Sequence, residues 1–364
     1  MTDRPRPFAG GPRRRTVLRA VAAVAALGAG AGGVAAACSD PADQPAPEAV
    51  PPSAPERPTV PDSVRFDLAA PATELFRERP LAGRDTVMQS FAFDDAGRRV
   101  FAAQIRDRAA GDLTLTRLTW DGVVDGAMVL EGFGHGTQIG VERVANDVFV
   151  WVESHAAQSE GAGWGRRVSR VKFRDRDTVE SGGKHAPSFD LVPDAWGLSC
   201  SVDTAYGQMA VRYNTGGSIR YRVYDLAEVR SGRRTPRCEL PAPPMHPTAD
   251  EPEPSAQGFA LFGRYLYTLE GTAYGAPGSV APVGNTYLTC TDLSVPGGRV
   301  AAVRTVRDGA DLRFREPEGV AVQRPAGPGG PARLVFGLAS YAGSATDPER
   351  LATLIGIDAT VTDP

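Results

Sequence analysis

From about residue 86 onward the chain repeats itself, and that repetition limits its possible folds more than any other feature. Five openings of small and apolar residues recur: Gln89–Asp94, Gln138–Glu142, Cys200–Asp203, Gln257–Leu261 and Glu318–Val322. Their centres, Ala92, Gly140, Ser201, Ala260 and Ala321, lie roughly 50 to 60 residues apart, the length of one multi-stranded unit with long loops. A more strongly apolar segment follows each opening: Arg99–Ile105, Asp147–Glu153, Gln208–Tyr213, Tyr265–Glu270 and Leu334–Ala339. Third segments alternate. Ile219, Tyr221 and Val223 fall on one face of a strand, Arg220 and Arg222 on the other. With 41 glycines and 31 prolines to break the chain, this is a pattern of short strands and turns, not long helices.

Small residues on the first strand of each unit suit a crowded axis. The reading is therefore all-β, a five-bladed β-propeller over residues 64–364, with a pair of β-sandwiches as the competing arrangement. A ring must close or leave exposed edges. Arg65-Phe66-Asp67-Leu68, outside the five units, is expected to pair near Leu351–Ile357 and join the ends.

Residues 1–38 read as a targeting segment rather than part of the fold. Arg14 and Arg15 head a twin-arginine pattern, Arg14-Arg15-Thr16-Val17-Leu18-Arg19, followed by a weakly apolar run to Ala37. No stretch there is apolar and long enough for an ordinary membrane anchor. Ala35-Ala36-Ala37 before Cys38 permits lipidation of that thiol, although the same alanines also suit cleavage by ordinary signal peptidase. Residues 39–63 are expected to be a disordered Pro/Ala-rich linker, with eight prolines between Ser39 and Asp62; in polyproline II form it would reach about 75 Å. The expected partners are the twin-arginine translocase during export and a membrane held through the lipid alone. The expected location is the cell surface, on the outer face of the cytoplasmic membrane, or the extracellular space.

Once residues 1–37 are removed, 34 basic and 42 acidic residues remain, a net charge of about −8. Polyanions are repelled by such a protein at long range, so nucleic acid is not an expected partner. An anionic ligand would need a local grip, from arginine or from a bridging cation.

Three segments carry a family resemblance: Asp85–Asp94, Gly132-Phe133-Gly134-His135-Gly136 and Arg315-Glu316-Pro317-Glu318-Gly319-Val320. In order and spacing they resemble the propellers of teichoic acid biosynthesis protein C-like proteins and of receptor-binding proteins from phages of Gram-positive bacteria. The resemblance covers about Val64 to the C-terminus. It implies a five-bladed propeller associated with wall teichoic acid or a similar glycopolymer, and it supplies no catalytic residues.

Candidate site residues follow from position. Gln89, Gln138 and Gln257 stand at blade openings, where amides offer the donors and acceptors that sugar hydroxyls need; they would serve equally as ties between blades. His135 sits in a glycine-rich turn expected near the axis. Glu316 and Glu318 flank Pro317 beside Arg315, with Arg315 expected to pair with one of them. Two carboxylates there suit acid–base work on a glycosidic bond, a bound cation such as calcium, or bonding between blades. No cofactor is called for. The G-x-S-x-G, H-E-x-x-H, P-loop and C-x-x-C signatures are all absent. Cys200 is expected in the core, and a Cys238–Cys290 bridge is permitted by the exported setting.

The sequence thus points to a surface-held propeller binding a cell-wall or extracellular glycopolymer. A hydrolase or lyase acting on that polymer, using Glu316, Glu318 and His135, is the alternative, and a protein-interaction scaffold is a third.

Overall fold

The computed structural model describes residues 60–159, 161–246, 255–327, 330–344 and 347–362. Arg14, Arg15, Cys38 and the linker up to residue 59 lie outside the described residues. Within them, five sheets of antiparallel strands, one of them extended by a parallel fifth strand, form the five expected blades. Blade 1 runs outward from Met88–Asp94 through Arg99–Asp107, Asp112–Thr119 and Val124–Glu131. Blade 2 runs through Gly140–Val144, Asp147–Ser154, Arg167–Lys172 and Ser188–Phe189. Trp196–Asp203, Gln208–Thr215, Ser218–Asp225 and Cys238–Pro241 make blade 3. Blade 4 contains Ala256–Phe262, Tyr265–Glu270, Tyr287–Asp292 and Arg299–Thr305. In blade 5, Glu316–Gln323, Arg333–Ser344 and Asp347–Ile357 are completed by the N-terminal strand Thr73–Pro80.

The inner strands meet in a closed cycle, each touching the next blade's and the fifth returning to the first. Five apolar clusters hold the ring, one in each gap between neighbouring blades. Strand alternation explains the arrangement. Phe101 and Ala103 enter the gap toward blade 2, while Val100 and Ala102 enter the gap toward blade 5. Because both faces of a middle strand are covered, these segments read as nearly continuous apolar runs. Backbones approach closely at the axis. At Gly319, φ is +83° and an added Cβ would stand 2.9 Å from Ser90 Cα, so no side chain fits.

Closure differs from the expected pairing. Thr73–Pro80, not Arg65–Leu68, pairs with Asp347–Ile357. Arg65 and Phe66 instead pair with Val361 and Thr360 just beyond that blade. Phe66 and Leu68 are apolar because they are buried in the blade 4–blade 5 gap, not because they extend a sheet. Upstream, Val60 packs against the blade 3–blade 4 cluster and Ser63 donates to the Phe262 carbonyl. The end of the expected linker is thus docked at the C-terminal ends of the inner strands, called the base below. The five-residue turn of helix Leu226–Arg230 is the one α-helix among the described residues.

Two features shape the opposite face, the mouth. Thr178–Glu180, from the blade 2 chain, adds in parallel to Val124–Glu131 as a fifth strand of blade 1. The Arg333–Ser344/Asp347–Ile357 hairpin continues from the Ala339–Glu316 rung out to a Ser344–Asp347 rung, and so rises past the inner strand of blade 5.

Candidate functional site

The pairing register slips at the mouth end of four inner strands: between Met88 and Ser90, Trp196 and Ser199, Ala256 and Gly258, and Pro317 and Val320. Such bulges bend a strand and re-aim its side chains. Three expected residues occupy them, Gln89, Gln257 and Glu318, and all three line one open cleft of about 650 Å³ at the mouth. His135 and Glu316 line it as well. Five candidates scattered over more than two hundred residues are thereby gathered in one place.

The same cleft is lined by arginine and aromatic side chains. Arg106, Arg108, Arg212 and Trp164 line the cleft. The His135 ring stacks on Trp164 with centroids 4.5 Å apart and planes 10° from parallel, and Trp164 meets Trp196 edge-on at 6.3 Å. Trp196 is 38% exposed, so the wall extends outward as an apolar shelf. Backbone bonds fix these loops to one another. Gly163 donates to the Arg108 carbonyl at 2.7 Å, and Phe133 and Gly134 both donate to the Gly111 carbonyl at 2.8 Å. Beneath them Glu153, at the end of an apolar strand, accepts from Gly136 and Gly165 N–H groups, each at 2.7 Å. One carboxyl therefore holds both the His135 turn and the Trp164 hairpin.

Burial sets the charge of each group. His135 is held down to about 4 by desolvation and by the positive charges of Arg108 and Arg212, so near neutral pH it is an uncharged ring. Glu316 is raised by burial, against the pull of Arg350. Glu318 is raised well above the carboxylate range by burial and then by the charge of Glu316. Gln89 Nε2 donates to Glu318 Oε1 at 3.4 Å, a long bond that leaves acceptor capacity unused. Arg106 and Arg108 are exposed and form no ion pair among the described residues. The cleft is consequently more cationic than its residue count implies. No group of three or more His, Cys, Asp or Glu side chains placed to hold a metal occurs among the described residues.

Residues 87–323, more than half of the chain, match the family described as "Phage 5-bladed beta propeller receptor binding platform domain". The chain belongs to that family. This platform propeller is 24% identical over 275 residues to the Bacillus subtilis (strain 168) protein named "Putative major teichoic acid biosynthesis protein C", a match covering 71% of this chain and 57% of the relative. Among solved structures it is similar to the tail fiber of Staphylococcus aureus phage P68, with a TM-score of 0.61 and 19% identity, over 81% of this chain and 53% of the fibre. That likeness supports the fold. The platform propeller thus spans little more than half the length of each of these two relatives.

Two expected site residues have other work in the platform propeller. Gln138 is 1% exposed and bars the channel below the cleft. Its Nε2 donates to the Val320 carbonyl and its Oε1 accepts from Phe259 N–H, each at 3.1 Å, so it ties blade 2 to blades 4 and 5. Arg315 does not pair with Glu316 or Glu318. Fully buried, it donates to the Val306 and Asp308 carbonyls and to Thr286 Oγ1. Phe314 and Arg315 have φ of 75° and 42°, a pair of left-handed residues costing about 1–3 kcal/mol each. The Arg315 bonds hold this strained turn, which delivers Glu316 to the cleft. Gln257 is partly engaged, donating to the Gly271 carbonyl at 2.9 Å.

Cys200 lies in the core as expected, and no disulfide joins Cys238 to Cys290. The residues missed from sequence are Arg106, Arg108, Trp164, Arg212 and Glu153. Only Glu153 left a local signal, as a carboxylate closing the apolar run Val148-Phe149-Val150-Trp151-Val152.

Proposed function

We propose that this receptor-binding propeller is exported, held at the cell surface, and binds an anionic cell-wall glycopolymer of teichoic acid type at its mouth. The observation that carries the reading is the gathering of Arg106, Arg108, Arg212 and Trp164 in one cleft whose acids are pushed toward their neutral forms. Guanidinium groups take phosphate oxygens in a planar fork, and an indole face takes the apolar side of a sugar ring. Gln89, Gln257 and the glutamates add donors and acceptors for hydroxyls. Against a net charge of about −8 outside the leader, this local cluster supplies the grip that a polyanion needs. The name of the Bacillus subtilis relative supports the same polymer class. Export rests on Arg14 and Arg15, and lipid attachment on Cys38.

Glu316 and Glu318, adjacent acids with raised pKa, favour a second reading as a hydrolase or lyase acting on the same polymer. Binding of purified protein to a glycan array, with and without calcium, tests the first reading. Glu318→Gln separates the two: weakened binding with no turnover in either protein supports a binding site. Polymer cleavage by wild type that vanishes in the variant while binding persists supports the enzyme.

A further inference from the structure

The proposed ligand is a polymer, and any stretch longer than the cleft has to leave it. Downward it cannot go. Gln138 crosses the channel, and at the base Arg324 is bonded to Asp95 and Thr204, leaving a space of about 30 Å³, room for about one water. Sideways the wall is open. Thr86 and Arg106 line the cleft and also a second open groove of about 820 Å³, which runs over the outer part of blade 1. Its far wall is the strand that blade 2 lends to blade 1, with Arg176, Asp177 and Thr178 lining the groove.

The chemistry changes along this path. In the cleft, arginines share the lining with acids that burial drives toward neutrality. In the groove, Asp85, Asp112 and Asp177 stand among Arg84 and Arg176, so acceptors and donors are mixed. Asp112 Oδ1 accepts from Gly132 N–H and leaves its second oxygen to offer, while Asp177 Oδ1 accepts from Thr178 N–H and its Oδ2 lies 3.7 Å from Arg174 Nη1. Hydroxyl-rich units need such a mixture, whereas a bare phosphate would be repelled by the acids.

We propose that the groove over blade 1 is a second subsite, which receives the sugar or polyol units next to the anionic group held at the mouth. The protein then reads an extended stretch of chain rather than an isolated unit. This rests on the glycopolymer reading above, and the test separates failure of one from failure of the other. Thr178 is exposed, and Thr178→Trp would fill the groove without reaching the cleft.

Calorimetry is run with synthetic polyol-phosphate oligomers, from a single repeat to lengths that reach Thr178. Wild type should tighten by about tenfold across the series, equivalent to about 1.4 kcal/mol. Thr178→Trp should bind the single repeat like wild type and show none of that gain. An affinity independent of length in wild type, or an equal gain in Thr178→Trp, would overturn the second subsite while leaving the mouth as the binding site. Failure of every length to bind wild type would overturn the glycopolymer reading and the subsite with it.

Discussion

Replacing Glu153 by glutamine tests whether one buried carboxyl organises the mouth. Both of its oxygens accept short bonds, from Gly136 and from Gly165. The fit is tight on both sides: a Cβ on Gly134 would fall 2.2 Å from Glu153 Oε2, and one on Gly165 would fall 2.5 Å from Glu153 Cβ. An amide keeps one acceptor and turns an NH2 toward the other N–H, so one loop loses its bond and meets a donor. Above about pH 7, where the carboxyl is ionised, losing one bond to a charged acceptor and leaving its buried N–H unsatisfied is expected to cost about 1.5–3 kcal/mol. In a domain of this size that lowers Tm by roughly 5–10 °C. Burial raises the Glu153 pKa from 4.5 to about 7, against the backbone N–H groups that pull it down. A raised folded pKa means that the native state holds the proton more tightly than the unfolded chain. The associated stability is complete below about pH 4.5 and is lost as pH climbs through about 7. Urea titrations on either side of that window should therefore show a pH slope in wild type that flattens in Glu153→Gln. Stability within about 0.5 kcal/mol of wild type, with an unchanged pH slope, would refute the clamp.

Other perturbations separate scaffold from site. Gln138→Ala should lower stability by about 1–3 kcal/mol, because Phe259 N–H and the Val320 carbonyl lose a buried partner; ligand binding at the melting-permissive temperature should persist, as titration calorimetry would record. Gly319→Ala places a side chain at a positive φ against Ser90 and should cost more than about 1 kcal/mol in denaturant unfolding. Deleting Thr73–Pro80 should bare the edge of Asp347–Ile357 and produce aggregation visible by size-exclusion chromatography; a monomer with unchanged Tm would contradict closure by this strand. In cells, replacing Arg14 and Arg15 by lysine should block export, and Cys38→Ala should release protein from the membrane fraction. Retention of Cys38→Ala in that fraction would rule out lipidation.

The ring of five was legible because its middle strands are buried on both faces, and a doubly buried strand writes an apolar run into the sequence. The closing strand wrote nothing comparable. In Thr73–Pro80 only Phe76 is buried, so its composition resembles that of a loop. Arg65–Leu68 resembles a strand in sequence because Phe66 and Leu68 alternate with polar residues, yet both are apolar because they fill a gap between blades. At the mouth, Gln89, Gln257 and Glu318 could be found since each sits at a blade opening. Arg106, Arg108, Trp164 and Arg212 could not. They lie on strand ends and a hairpin from three blades, and ring geometry alone brings them together. Arg315 misled for a different reason: adjacency to two glutamates in sequence said nothing about a turn that points its side chain the other way.

The docking of the upstream chain at the base also defines a path for mechanical force. A pull on the chain before Val60 would first strain the contacts of Ser63 with Phe262 and Arg264. Next in line is the two-rung pairing of Arg65 and Phe66 with Val361 and Thr360. Thr73–Pro80, which keeps the ring closed, comes only after both. The short clasp acts as a fuse in series ahead of the closure, so a pull from the N-terminal side would spend itself on expendable contacts while the mouth keeps its shape.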